Sequence, residues 1–418
     1  MLKLLNTSVI VSILISISIS IFAGGNNVSI DILTLSTLLL FVSFLTNKDV
    51  SIIAFYIYFF ISFIVTRLTP IAMYGHGAWL TIGKDILLST TALAIFLPKF
   101  RKLTPLILLG SLFTYIATIL SSPKPKIDVW YEYQVASKGL LNGHNPYLIH
   151  WSSHIHLPFE VSNVFTYLPF SSLFLDPFYF LFGDVRYGLV FALLVASFFA
   201  YKLCGKYGYL VASAILLFPR GSYAIEQSWN DPILLASLLG AVYFFTKKKY
   251  WLAIIFFGLA LSTVQYAFLF VPLAFFYFGK RILYSLGIVS LVCLPFFLDA
   301  PKAFIKGVLY NLHIPARSDS WSLYLLFRPE FVATIIAVVA VVTAIIFVLR
   351  FHKHNFIFSC GLIFIVYDLF NKASFFNEWE FGALLILVGG CYLVEDYKDN
   401  SMLSRSIIVE SPETIRLS

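Results

Sequence analysis

The sequence predicts an all-α, polytopic membrane protein, and two observations support this. Of the 418 residues, 60% are hydrophobic and only 12% are charged. A soluble domain carries about 25% charged residues, so this chain has too little polar surface to cover a water-soluble core. Its apolar runs are about 15–20 residues long, as spanning helices require, whereas barrel strands would give short alternating segments. A cytosolic enzyme, a disordered chain and a disulfide scaffold are therefore excluded.

The net charge of +8 does not require a nucleic-acid partner. Lys and Arg collect in the cytoplasmic loops of membrane proteins, and this rule accounts for the basic balance. The four cysteines have no close pair spacing and lie in or beside apolar runs, which is typical of small hydrophobic residues. The sequence therefore predicts neither a disulfide framework nor a zinc site.

Residues 1–121 are predicted to form the N-terminal transmembrane helices. The first apolar run ends at Ala23 before Gly-Gly-Asn-Asn, a poor cleavage site for a signal peptide, and further spans follow at once. Those further spans are Ile30–Leu45, Val50–Val65, Asp85–Leu97 and Leu103–Leu120. When the basic connectors of this region are placed in the cytoplasm, successive spans alternate in direction, and the segment after Ser121 lies outside.

Residues 122–162 form the longest stretch without a spanning run. Long polar loops in helix-packed proteins are usually functional, and a disordered spacer is the plainer alternative. This loop is rich in Trp and Tyr, residues that suit short helices lying at the membrane interface. We therefore expect an outer loop that carries interfacial helices.

Residues 163–395 are predicted to form the transmembrane core. Nine apolar segments lie in it: Phe165–Phe182, Tyr187–Tyr201, Tyr207–Phe218, Ile233–Phe245, Trp251–Phe278, Ile282–Leu298, Phe331–Leu349, Phe356–Phe370 and Phe381–Leu393. With the N-terminal region, this gives a bundle of about 12–14 transmembrane helices. The polar segment 396–418 is predicted to be a disordered cytoplasmic tail.

Two of these core segments are expected to depart from a simple crossing. Trp251–Phe278 lies between two basic connectors that both belong in the cytoplasm, so it is predicted to fold back near Thr263-Val264-Gln265 into two short helices. The outer loop and Lys247 are expected on opposite sides of the membrane, so an odd number of crossings must lie between them. One of the candidate segments between them therefore does not cross. Phe165–Phe182 contains Pro169 and Pro177, which interrupt helices, and is predicted to be partial or re-entrant.

Ionisable and amide side chains gather at the predicted outer ends of the helices. A charged group in hydrocarbon costs about 3 kcal/mol or more, so these residues are functional candidates. They come from four separate outer loops: Asp128 and Glu132; Arg220, Glu226, Gln227, Asn230 and Asp231; Arg317 and Asp319; and Lys372, Asn377 and Glu378. Carboxylates and cations in such a pattern are typical of a cleft assembled between helix ends.

Five motifs follow one another between Ile127 and Val394. They are Asp128-Val-Trp-Tyr-Glu-Tyr-Gln134, Leu140-Leu-Asn-Gly-His-Asn-Pro-Tyr147, Phe165-Thr-Tyr-Leu-Pro169, Glu226-Gln-Ser-Trp-Asn-Asp231 and Gly258-Leu-Ala-Leu-Ser-Thr-Val-Gln265. In this order they resemble motifs of the GT-C-fold membrane glycosyltransferases, in particular family 87, the polyprenyl-phosphate-mannose-dependent mannosyltransferases. The first ~100 residues lie outside the resemblance.

The chain departs from the family pattern at three places. Glu226 stands where the family often has Gly, and Asn230 lies three residues after Gln227 instead of two. Val264-Gln265 replaces a pair that usually contains Lys. These departures concern contacts to the donor phosphate more than the fold.

The resemblance implies transfer of a hexose, which in the family is mannose, from a polyprenyl-phosphate donor to a lipid-linked or glycan acceptor on the outer face. In that family the reaction inverts the anomeric centre and requires no tightly held metal and no cofactor. Such a transfer needs a base for the acceptor hydroxyl and cations for the departing phosphate. The lipid donor would also explain why the enzyme lies in a membrane.

Asp128 is the predicted general base, because it opens the outer loop just past a spanning helix. The alternative is that Asp128 only caps the interfacial helix, since Asp is a good N-cap residue. Glu132 lies one turn later on the same face. It is assigned to the substrate site or to raising the pKa of Asp128, with a solvated interfacial residue as the plainer alternative.

Substrate binding is assigned to several further residues. Arg317 is the first choice for the phosphate, followed by Lys372 and Arg220; each could instead be a snorkelling interfacial cation. Asn377 and Glu378 are predicted to contact sugar hydroxyls, with Trp379 stacking on a ring or belonging to an interfacial aromatic belt. Gln227 and Asn230 belong to the same set through the motif that they carry.

The histidines and the rival functions complete the sequence-based predictions. His150, His154 and His156 have a spacing that could bind a metal, but Pro158 and the adjacent serines favour solvated loop histidines. No Gly-rich phosphate loop is present, which disfavours a nucleotide-sugar donor or ATP drive. A transporter or flippase would carry polar residues at mid-membrane and internal repeats, and neither is evident. A non-catalytic scaffold would tolerate loss of Asp128.

Overall fold

Apolar helices fill the part of the chain that the structure describes. The computed structural model describes residues 31–38, 52–96, 100–151, 163–317, 319–351 and 355–409, and all regular elements within these ranges are helical. Three helices are long and apolar enough to cross a membrane: Arg186–Leu203, Lys280–Asp299 and Glu330–Arg350. The predicted all-α class is thus confirmed for these ranges.

Between residues 52 and 121, the described part of the chain forms three helices. They are α1 (Ile52–Leu68), α2 (Ala78–Phe96) and α3 (Phe100–Ser121). Close packing of α2 on α3 follows from small residues: a Cβ added to Gly110 would lie 2.5 Å from the Thr90 methyl group. The Thr114 hydroxyl, from α3, donates to the Gly83 carbonyl oxygen of α2 at 2.9 Å. The first predicted span lies outside the described residues.

The predicted loop over residues 122–162 contains the short helix that its aromatic pattern predicts. This helix, α4 (Asp128–Leu141), is followed by a 3₁₀ turn at Pro146–Leu148. The Asn145 side chain starts the turn by accepting the Tyr147 N–H at 3.1 Å. Asn145 also donates to the Phe296 carbonyl oxygen and to the Asp299 carboxylate, each at 3.0 Å, and so fixes the loop to a later helix.

Thirteen further helices follow among the described residues. They are α5 (Pro169–Phe182), α6 (Arg186–Leu203), α7 (Gly208–Leu216), α8 (Gly221–Glu226), α9 (Asp231–Thr246), α10 (Tyr250–Leu261), α11 (Val271–Phe278), α12 (Ser285–Asp299), α13 (Pro301–Val308), α14 (Tyr310–His313), α15 (Glu330–Phe351), α16 (Phe356–Phe370) and α17 (Phe376–Val409). The most buried of them are α7, α8, α16 and the first half of α17. Because α17 continues to Val409, the prediction of a disordered tail from Asp396 is wrong as far as that residue.

The predicted fold-back of residues 251–278 is confirmed. The segment breaks after Leu261 and resumes as a 3₁₀ turn and α11. The ring of Phe245 lies 5.4 Å from that of Tyr250, at the start of the segment, and 4.5 Å from that of Phe278, at its end. Both ends therefore lie on the same side, as the two basic connectors require.

Helix α5 is too short to span a bilayer core. Its 14 residues begin at Pro169 and contain Pro177. At 1.5 Å per residue the helix is ~21 Å long, against a hydrocarbon core of about 30 Å. Gly183 ends the helix in the left-handed region, with φ of 73°. That this segment does not cross remains a prediction, which its length supports.

The basic connectors assemble at one end of the bundle. Phe278, two residues before Lys280, contacts Phe356 with ring centroids 4.7 Å apart and also contacts Phe245, two residues before Lys247. Phe356 starts α16 shortly after Arg350, the last basic residue of α15. The chain segments that carry Lys247, Lys280 and Arg350 are therefore neighbours at one end of the bundle.

Candidate functional site

The loop helix α4 presents Asp128 at its first position. Ile127 is the N-cap residue, so the expectation that Asp128 is the N-cap is wrong by one position. The Asp128 carboxylate accepts the Val129 N–H at 2.9 Å. Burial raises the pKa of Asp128, while the Val129 N–H and the positive charge of Arg317 oppose that rise. A carboxylate whose pKa is raised toward neutrality is a better proton acceptor at pH 7.

Glu132 is buried rather than solvated, because the fold covers this face of α4. Its side chain accepts hydrogen bonds from both the backbone N–H and the hydroxyl of Thr166. Burial raises the pKa of Glu132 to about 8, with a smaller rise from Asp128, and the Thr166 hydrogen bonds lower it in part. The solvated alternative for this residue is therefore wrong.

The motifs that carry the family resemblance contact one another. The ring of Tyr133 stacks on that of Tyr167 at 5.0 Å, and the Tyr147 hydroxyl donates to the Tyr167 carbonyl oxygen at 2.6 Å. The Gln265 amide donates to the carbonyl oxygens of Thr166 and Val308 at 2.7 and 2.8 Å. Gln265 thus acts here as a bridge between loops.

Asp231 joins a second group of predicted residues to this end of the bundle. It opens α9, and its carboxylate accepts hydrogen bonds from the Tyr266 hydroxyl and, at 2.8 Å, from the Asn377 amide. Glu378 accepts the Phe375 N–H at 2.9 Å and so starts α17. Both predicted sugar-binding side chains of this helix are therefore already engaged in hydrogen bonds within the protein.

The two cations first assigned to the phosphate are held by protein groups. The guanidinium of Arg317 pairs with Asp319 through two hydrogen bonds of 2.9 and 2.7 Å and lies 4.4 Å from the centre of the Phe375 ring. Lys372 donates to the carbonyl oxygens of Leu312 and Ile314 at 2.8 and 2.7 Å. The Arg317 backbone N–H donates to the Lys372 carbonyl oxygen. These contacts join the loop that carries Arg317 to the loop that carries Lys372.

Arg220 lies in a different environment, at a cavity of about 760 Å³. Its guanidinium carbon is 4.3 Å from the centre of the Tyr223 ring and 5.8 Å from that of Phe376. Its Nε–H has no hydrogen-bond partner among the described residues, although only 8% of the residue is exposed. Burial lowers the pKa of Arg220, and Tyr223 and Glu226 raise it.

Two residues outside the predicted binding set organise this end of the protein. Glu226, noted in the sequence as a departure from the family pattern, accepts the backbone N–H groups of Met73, Tyr74 and Gly75. Arg186 is fully buried, pairs with Asp184 at 2.6 Å and donates to the Ser122 carbonyl oxygen. In the sequence, the only signal for these roles is that Glu226 and Arg186 are charged residues at helix ends.

The remaining members of the predicted set are buried. Gln227 donates to Glu226 at 3.4 Å, and Asn230 precedes α9 as its N-cap residue without a side-chain cap bond. Trp379 is fully buried, so it neither faces an open cleft nor belongs to an exposed aromatic belt. Trp321, which was not predicted, lines the cavity instead.

Four carboxylates lie close to helix ends; Asp231, Asp368 and Glu380 are buried and Glu378 is half-buried. Asp231 is the first residue of α9, Asp368 the third from the end of α16, and Glu378 and Glu380 the third and fifth residues of α17. The charges of Glu378 and Asp231 act on Asp368, which places these helix ends together. The arrangement thus belongs to one end of the bundle rather than to its middle.

Of the three histidines with metal-like spacing, His150 is exposed, whereas His154 and His156 lie outside the described residues. Within the described ranges, no group of three or more His, Cys, Asp or Glu side chains could hold a metal ion. No family model, curated protein or solved structure matches the chain.

Proposed function

We propose that this protein is a polytopic membrane glycosyltransferase with a GT-C-like bundle. It moves a hexose from a polyprenyl-phosphate donor to a lipid-linked or glycan acceptor, with inversion. The first basis is the order of the five motifs and the contacts among them. The second is the presence, at one end of an apolar bundle, of an acid whose pKa burial raises and on which the charge of Arg317 acts.

The observation that carries the proposal is the environment of Asp128. The residue opens α4, is shielded enough that burial raises its pKa, and is influenced by the positive charge of Arg317. It also acts electrostatically on Tyr74, whose neighbours Met73 and Gly75 line the Arg220 cavity. A base, a cation and a cavity that are close together are what transfer from a phosphate-linked sugar needs.

The membrane assignment follows from the apolar surface of the long helices. Only 11% of the Lys280–Asp299 span and 22% of the Glu330–Arg350 span is buried inside the protein. Large apolar side chains, including Val338, Val339 and Ile346, are exposed along α15. A contiguous apolar face of this kind is unsuited to water and suits lipid. The basic end would face the cytoplasm and the candidate site the outer side.

In the proposed reaction, Asp128 takes the proton from the acceptor hydroxyl as that oxygen attacks the anomeric carbon. The bond between this carbon and the phosphate oxygen breaks, and the electron pair leaves with the polyprenyl phosphate. Arg317 stabilises the departing charge while retaining its contact with Phe375, and Lys372 holds the loop that carries Arg317. The raised pKa of Asp128 suits the proton transfer at neutral pH.

A transporter is less consistent with where the buried acids lie. Carriers place ionisable groups near the bilayer midplane at the interface of internal repeats. Here Asp231, Asp368, Glu378 and Glu380 are all within five residues of a helix end, on the side of Asp128. A site at one end of the bundle suits a donor whose phosphate lies at the membrane interface.

The test is a transfer assay with purified protein in detergent or nanodiscs, using a polyprenyl-phosphate hexose donor. Asp128→Asn keeps the size of the side chain and can still accept the Val129 N–H, but it cannot take a proton at neutral pH. We expect a rate loss of roughly 10²–10⁴-fold, the usual cost of losing a general base.

Asp85→Asn is the matched control, because Asp85 is an exposed carboxylate on α2. It should turn over at the wild-type rate. Wild-type turnover by Asp128→Asn would remove Asp128 from the mechanism and direct attention to Glu132 or Asp231. Uptake of a polar solute into vesicles, without any glycosyl transfer by the wild-type protein, would favour the transporter instead.

A further inference from the structure

The cavity at Arg220 joins the N-terminal helices to the core. Its walls come from two parts of the chain that are more than a hundred residues apart: the segment 70–84, which runs from the end of α1 into the first turns of α2, and the group Arg220, Tyr223, Trp321 and Phe376. Its volume of about 760 Å³ is within the usual range for small-molecule sites, about 300–1,000 Å³. It is therefore large enough for a sugar with a charged substituent.

Arg220 is built into this wall at a conformational cost. Its φ of 66° is in the left-handed region, which is unfavourable for a residue with a side chain. Only 8% of the residue is exposed, and its guanidinium forms no ion pair with a carboxylate of the described residues. A buried cation with an unpartnered Nε–H is costly unless an anion completes it.

The opposite wall is fixed in place by Glu226. Three successive backbone N–H groups, from Met73, Tyr74 and Gly75, converge on its carboxylate, as in an anion-binding nest. Lys84 secures the same segment by donating to the carbonyl oxygens of Arg67 and Thr69 at 3.2 and 3.0 Å. Glu226 is thus committed to the loop, which leaves Arg220 without it as an ion-pair partner.

We propose that this cavity binds a phosphorylated sugar head group. The phosphate accepts a hydrogen bond from Arg220 Nε–H, and the sugar ring lies against the aromatic wall of Tyr223, Trp321 and Phe376. The choice of phosphate among oxyanions rests on the proposed function. The segment 70–84, which the family resemblance does not cover, thus forms part of the binding site. Arg220 is the principal ligand of the bound phosphate, and Arg317 acts on the charge that develops during transfer.

The test measures binding without turnover, by equilibrium dialysis with radiolabelled hexose 1-phosphate and the purified full-length protein in detergent. Arg220→Gly removes the guanidinium and its contacts with Tyr223 and Phe376, and glycine adopts the left-handed conformation without strain, which offsets part of that loss. We expect its affinity to fall roughly tenfold or more, the usual effect of removing a hydrogen bond to a charged group. Unchanged melting temperatures would confirm that folding is intact.

Two further arginine variants separate the possible phosphate ligands. Arg328→Gln alters an exposed arginine on the loop before α15 and should bind as the wild type does. Arg317→Gln should lower affinity much less than Arg220→Gly. Equal binding by wild type and Arg220→Gly, or a larger loss in Arg317→Gln, would overturn the inference.

The chemical source of the head group is resolved with two more probes. Polyprenyl phosphate in mixed micelles should compete with hexose 1-phosphate, and stronger competition than by unlabelled hexose 1-phosphate would identify a lipid as the source. A neutral alkyl hexoside that competes equally well would contradict a phosphate site. If Arg220-dependent binding occurs in a protein without transferase activity, the proposed function fails while this inference stands.

Discussion

Glu132 and Thr166 are joined by two hydrogen bonds to the same carboxylate oxygen, one from the backbone and one from the hydroxyl of the threonine. This contact links α4 to the Phe165–Pro169 motif, 34 positions later in the chain. It places the loop helix, and with it Asp128, against the core. It also shields Glu132 from solvent, with consequences for stability.

Stability should fall with rising pH because of Glu132. Its pKa in the folded protein, about 8, lies above the usual 4.5, so the folded state holds the proton more tightly than the unfolded state does. The stabilisation is therefore full below about pH 4.5 and is lost as pH rises toward 8. The difference between these two pKa values corresponds to a few kcal/mol of stability at most, since one pKa unit is about 1.4 kcal/mol.

Melting temperatures between pH 5 and pH 8 test this for the wild type and Glu132→Gln. The glutamine cannot titrate, so its melting temperature should decline less over this interval. Glu330→Gln, at an exposed position, should show the wild-type decline. Parallel curves for wild type and Glu132→Gln would show that Glu132 does not control this pH dependence.

Replacing Arg317 should reduce transfer in proportion to the charge and geometry lost. Arg317→Ala removes the cation whose charge acts on Asp128 and should lower turnover by roughly 10²–10³-fold, as for a lost electrostatic contact in a transition state. Arg317→Lys should keep partial activity, because Lys offers a point charge where Arg offers a two-pronged donor. Turnover of the donor by purified variants measures this.

Asp319→Asn is the companion variant for Arg317, because it removes the paired charge and leaves the guanidinium in place. It should retain most activity. If Arg317→Ala turned over as fast as wild type, Arg317 would be an interfacial snorkelling residue held by Asp319 and Phe375.

Glu226→Ala should loosen the segment that follows α1. The change leaves the N–H groups of Met73, Tyr74 and Gly75 without their carboxylate, and each unsatisfied buried group costs about 1–3 kcal/mol. Hydrogen exchange of residues 72–77 should accelerate, and the melting temperature should fall. Glu226→Gln, which retains one acceptor oxygen, should lie between wild type and Glu226→Ala. Unaltered exchange in Glu226→Ala would contradict this anchoring role.

The orientation of the bundle can be tested by cysteine labelling from either side of the membrane. Asn142, at the end of α4, and Lys248, after α9, are both exposed. The site end carries the start of α9 at Asp231, and Lys248 follows the opposite end of that helix. We expect Asn142→Cys to react from outside and Lys248→Cys only from the cytoplasm. Labelling of both from one side would refute the proposed topology.

Much of the helical organisation could be predicted from local sequence alone. The apolar runs predict most of the described helices, since a long hydrophobic segment satisfies its backbone groups best as a helix. The basic connectors around residues 251–278 predicted the fold-back that the Phe245 contacts confirm. The aromatic loop predicted α4. These features depend on residues close together in the chain, where length and charge distribution limit the alternatives.

Only the tertiary structure decided which polar side chains are engaged and which are available to a ligand. In sequence, Arg317, Lys372 and Arg220 are equivalent cations at helix ends, but the fold gives the first an aspartate, the second two carbonyl oxygens and the third a cavity. Likewise, Glu132 is buried because Thr166 reaches it from another segment. Such partners lie tens to hundreds of residues away, so no local pattern specifies them.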